Sequence, residues 1–131
     1  MAMRQVYLRF PNEEWGVVVV FNFDVDREYD VLSEQLRSFG MERRDIHKAL
    51  HILSSYNTGM AISNDTLKMS AIYISHVTKA SDWWDTAQHE LAHVVTAIID
   101  HYDVPYYSED AAYLTGFLTK QLVEAVGEPC N

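Results

Sequence analysis

The residues with the clearest chemistry are His89-Glu90-Leu91-Ala92-His93, an H-E-x-x-H stretch. Histidines four positions apart on a helix project from one face. Two imidazoles so placed can bind one zinc ion, at about 2.0–2.1 Å per nitrogen. The carboxylate that follows the first histidine then reaches toward the open coordination position, where it can take a proton from water. Metal-assisted hydrolysis requires this arrangement, with His89 and His93 as ligands and Glu90 as general base.

Such a motif has to be held on a helix. Ser81 to Tyr102 reads as one, with Ser81 as N-cap and Asp82 and Asp85 suited to the positive end of its dipole. A strand leads directly into it. Lys68 to Val77 alternates, with Met69, Ala71, Tyr73, Ser75 and Val77 on one side and Ser70, Ile72, Ile74 and His76 on the other. Upstream, residues 3–10 also alternate as a strand, and Pro11-Asn12-Glu13-Glu14 is a turn signal. Trp15 to Phe23 reads as a second strand, central because Val17–Phe21 is apolar on both faces. The two strands predict an antiparallel hairpin.

Helices are expected at about 27–38, capped by Asp24 or Asp26 and stopped by Gly40, and at about 42–55. Met60-Ala61-Ile62 reads as a short strand. Val104-Pro105 breaks the long helix. Ser108 then caps a last one that runs to Gly127, with Glu109 and Asp110 in its first turn. The expected fold is α+β, one domain over residues 1–131. It has a small antiparallel or mixed sheet of about four strands, with helices packed on one face.

A catalytic zinc usually takes three protein ligands and keeps one position for water. The candidates for the third are Asp100, His101, Asp103, Glu109 and Asp110. Thr96 stands where a glycine would be needed to turn the chain sharply toward a nearby third histidine, so the helix carries on. Asp100 shares the face of His93 but lies about 10 Å further along. The start of an antiparallel return helix reaches the ion more easily, which favours Glu109, with Asp110 second. A donor for the developing oxyanion is to be sought among Tyr113, Tyr106, Tyr107 and His76, with Tyr113 first. His76 falls on the strand expected to be the edge strand of a substrate cleft, where a peptide could add by β-augmentation. His47 and His51 repeat the four-residue spacing with no acid after His47, and read as surface or half-buried histidines. Trp83 and Trp84 read as core and rim aromatics.

Composition narrows the partners. A net charge of -9 and a pI near 4.9 argue against nucleic acid or an anionic membrane surface. The single cysteine, Cys130, excludes a disulfide within the chain and a cysteine-based zinc site. The N-terminus lacks the apolar core of a signal peptide, and no apolar run approaches the roughly 20 residues needed to span a bilayer. A cytoplasmic protein is expected.

H-E-x-x-H followed by a glutamate on a downstream helix resembles the zincin metallopeptidases, and among them the gluzincins. From about Asn57 to Lys120 the chain also resembles small zincin-like proteins encoded by bacteria and their phages. The resemblance is carried by the strand Ala71–Val77, by Thr86-Ala87-Gln88 leading into His89–His93, and by Ser108-Glu109-Asp110-Ala111-Ala112-Tyr113-Leu114-Thr115-Gly116. It implies a zincin-like fold with a C-terminal ligand helix and a Zn2+ cofactor. It also implies His89, His93 and Glu109 as ligands, Glu90 as base, and a peptide or protein substrate. The implied activity is cleavage of peptide bonds by a metal-activated water. Gluzincins commonly carry an aspartate four residues after the glutamate, orienting the first histidine, and here that position is Tyr113. The alternative is a non-catalytic interaction or binding protein that retains the fold.

Overall fold

A computed structural model describes residues 2–10 and 14–130. In chain order the elements are β1 (Arg4–Arg9), β2 (Gly16–Phe21), α1 (Tyr29–Ser38), α2 (Arg43–Leu53), β3 (Gly59–Asn64), β4 (Met69–Ile74), α3 (Ala80–His101) and α4 (Glu109–Val126). The four strands form one mixed sheet in the order β1-β2-β4-β3. β1 and β2 make the expected antiparallel hairpin, Arg4 opposite Phe21 and Arg9 opposite Gly16. Pro11, Asn12 and Glu13 of its expected turn lie outside the described residues. β2 and β4 are parallel, and β3 returns antiparallel on β4 as an edge strand.

β2 explains the layering. Val17, Val19 and Phe21 enter one hydrophobic cluster, while Val18 and Val20 enter another. A strand apolar on both faces must be covered on both. α3 and α4 cover the first face, where Ile72 and Ile74 of β4 join Trp83, Leu91, Val94, Ile98, Leu114 and Leu118. α1 and α2 cover the second, where Ala71 and Tyr73 meet Leu32, Leu36, Ile46 and Leu50. The expectation of helices on one face is therefore corrected: helices occupy both faces. Each large apolar side chain buried in these layers contributes about 1.5–3 kcal/mol. The parallel pairing of β2 with β4 needs a long connection, which α1, α2 and β3 supply between the two strands.

Local chemistry sets the boundaries. Asp24 does not cap α1 directly. Its Oδ1 accepts from the Arg27 N–H at 3.1 Å, closing a turn ahead of the helix. Gly40, at φ 93°, lies just past the end of α1 in a conformation that other residues rarely adopt. α3 begins one residue before Ser81, with Lys79 as its N-cap and no side-chain cap bond. Ser108 caps α4 as expected, accepting from the Ala111 N–H at 3.2 Å. β4 ends at Ile74, and beyond it Ser75 still pairs with Thr58, its N–H donating to the Thr58 carbonyl at 2.9 Å and its hydroxyl accepting from the Thr58 N–H at 2.8 Å. No helix among the described residues is long and apolar enough to cross a membrane.

Candidate metal centre

α3 presents His89 and His93 to solvent and buries Glu90 and Leu91 between them. Trp83, Ala87, Glu90, Leu91 and Val94 lie on its inward side, as helical periodicity requires. Glu90 is thus 7% exposed, whereas the His89 side chain is 69% exposed. The two imidazole centroids are 5.0 Å apart. His89 Nε2 lies 3.9 Å from Glu90 Oε2. One ligand atom from each of His89, Glu90 and His93 falls within 4.8 Å of the others. Among the described residues, this is the group of His, Cys, Asp and Glu side chains able to hold a metal ion. Two accessible imidazole nitrogens with a carboxylate beside them suit a borderline cation such as zinc, which takes nitrogen and oxygen donors.

The second wall of the site comes from β3. A Cβ on Gly59 would lie 2.7 Å from Thr86 Cγ2, 3.0 Å from Glu90 Cγ and 3.1 Å from Glu90 Oε2. The bare backbone at the start of the edge strand leaves room for the Glu90 side chain. In the sequence Asn57-Thr58-Gly59 reads as a helix stop, which does not single out Gly59 as part of the site. A glycine opening a strand was the available signal, since it marks close approach of another group.

The remaining candidates are spread along α3, α4 and the loops. Glu109 and Asp110 are exposed in the first turn of α4 and do not join the histidine group. Gln88 Nε2 donates to Thr119 Oγ1 at 3.3 Å, which pins α4 against α3. Tyr113 is 70% exposed on α4. Asp100 is exposed one heptad beyond His93. His101 is engaged elsewhere, its Nδ1 3.9 Å from Asp65 Oδ2 and its ring edge-on to Trp15. Asp103 lies just past the helix end at φ 56°. Tyr106 and Tyr107 pack on each other in the exposed link.

His76 requires a correction. It lies beyond the end of β4 and packs on Tyr56, with ring centroids 4.9 Å apart. β4 is an interior strand, and the edge strand beside the metal group is β3. His47 bonds Tyr29 Oη through Nδ1 at 3.2 Å and forms no metal group with His51. Trp83 is core and Trp84 is half-buried against it, as expected. The chain matches no protein-family model, no curated protein and no solved structure, and its chemistry is read from the geometry of α3 and β3.

Proposed function

We propose that the protein is a zinc-dependent, zincin-like metallopeptidase. The observation that supports this reading is the convergence of His89, Glu90 and His93, with both imidazoles open to solvent and the carboxylate held beneath them. His89 and His93 hold the ion, and Glu109 completes the set from α4. Zinc, when bound, supplies a Lewis acid and lowers the pKa of water. Glu90 accepts the proton of the attacking water and returns it to the amine nitrogen as the C–N bond breaks. Packing against Gly59 and Thr86 restricts the rotamers of Glu90 and keeps its carboxylate aimed at one place. Tyr113 donates a hydrogen bond to the developing oxyanion. The substrate is a peptide or protein segment, extended along the outer edge of β3, where backbone groups are available for pairing.

The test combines metal analysis of protein purified without added metal with cleavage of a mixed peptide library. One zinc per chain, with cleavage that disappears in Glu90→Gln, supports the reading. Zinc without cleavage moves the protein to a non-catalytic binding role. Absence of any bound metal refutes the metal centre itself.

A further inference from the structure

Residues 29–53, which span α1 and α2, carry four acidic and four basic side chains, and the four basic ones share one groove. The protein has a net charge of -9 and 10 lysines and arginines. Four of them, Arg37, Arg43, Arg44 and Lys48, line a groove of about 820 Å³ together with His47. Among the described residues Asp30 is the one carboxylate lining it. Tyr29, Ser33 and Arg37 recur every four residues and form one wall on α1. Arg44, His47 and Lys48 form the other on α2. Buried Ile46 contributes to the floor, and the Tyr29–His47 hydrogen bond joins the walls.

The groups that face this groove are mostly cationic or hydrogen-bond donors. Arg43 and Arg44 stand in the first turn of α2, whose amides carry the positive end of the helix dipole, and its N-cap, Glu42, makes no side-chain bond to them. Arg37 pairs with Glu34 at 2.8 Å and Arg44 with Asp45 at 3.7 Å, but both pairs are exposed and weakly held. No ion pair among the described residues engages Arg43 or Lys48. Ser33 also lines the groove from α1.

We infer that this groove binds a small phosphate-bearing molecule. Its volume lies in the range of small-molecule sites, about 300–1,000 Å³. Guanidinium groups match phosphate oxygens in paired hydrogen bonds. A longer polyanion is disfavoured, because beyond this short hairpin it meets an acidic chain. The groove lies in the layer of α1 and α2, on the opposite face of the sheet from His89, Glu90 and His93.

The full chain is titrated with inorganic pyrophosphate at constant ionic strength, with backbone amide and histidine ring resonances followed by NMR. Saturable shifts at Ser33, Arg43, Arg44 and His47 are expected. The double variant Arg43→Gln, Lys48→Gln should weaken them at least tenfold with an unchanged urea midpoint, since both side chains are exposed. Shifts reproduced by sodium chloride alone, or affinity unchanged in the double variant, would overturn the proposal. Shifts confined to His89 and His93 would also overturn it, by placing the anion at the metal group. So would a single-stranded DNA oligonucleotide that occupies the groove when pyrophosphate does not, or pairing of two copies through α1 and α2 in sedimentation.

Discussion

Gly59 of β3 lies directly against Glu90 of α3, so close that a Cβ at position 59 would stand 3.1 Å from the carboxylate Oε2. The proposed base is therefore positioned by the edge strand as much as by its own helix. Its neighbours His89 and His93 have no such constraint, being exposed.

This contact predicts the effect of Gly59→Ala. The new methyl group would meet Thr86 Cγ2 at 2.7 Å, and a β-branched side chain on a helix has little rotamer freedom to yield. We expect destabilisation of about 1–3 kcal/mol from overpacking, read from urea titration. Peptide cleavage should fall further than the loss of folded protein explains, while zinc affinity changes little. Adding Thr86→Ala should restore part of the stability. Wild-type stability and cleavage in Gly59→Ala would show that the strand does not position Glu90.

Glu90→Gln preserves shape but cannot accept a proton. Hydrolysis should drop by roughly 10²–10⁴-fold, the usual worth of a general base, with zinc content unchanged. Single-turnover cleavage of the best library peptide measures it. Equal rates in the two proteins would assign the activity to another site or a contaminant.

His93→Ala removes an exposed imidazole that contributes nothing to either hydrophobic cluster. Zinc stoichiometry should fall to near zero while the circular dichroism spectrum and urea midpoint are retained. Unchanged stoichiometry would mean that the ion sits elsewhere.

The third ligand is tested by Glu109→Ala, Asp110→Ala and Asp100→Ala in competition with a chelator at fixed pH. Glu109→Ala should weaken zinc binding at least tenfold, about 1.4 kcal/mol, and the other two less. Because Glu109 does not join the histidine group, metal binding should also draw the start of α4 toward His93. A change in Tyr113 or Ala112 amide shifts on zinc addition would report that movement. If Asp110→Ala has the larger effect, the ligand changes but the centre stands.

The sequence by itself determined the features that depend on neighbours within one or two turns. His89 and His93 share a face because of helical geometry alone, and α3 carries them as the spacing requires. Ser108 caps α4 because a hydroxyl at that position reaches the Ala111 amide whatever surrounds it. β2 is central because Val17–Phe21 leaves no face for water. The same five residues also implied helices on both faces, a consequence that the one-face expectation did not follow through. Only the tertiary structure decided which partners meet across the chain. Strand alternation is satisfied equally by several sheet orders, so nothing local said that β3, rather than β4, forms the edge beside Glu90. Nor could spacing set the level of Glu109. Helix periodicity fixes a residue's direction around its own axis, whereas its height against another helix comes from long-range contacts such as Gln88 with Thr119. Gly59 belongs to the same class, for its role exists only once β3 has packed on α3 and its missing side chain becomes space for the carboxylate.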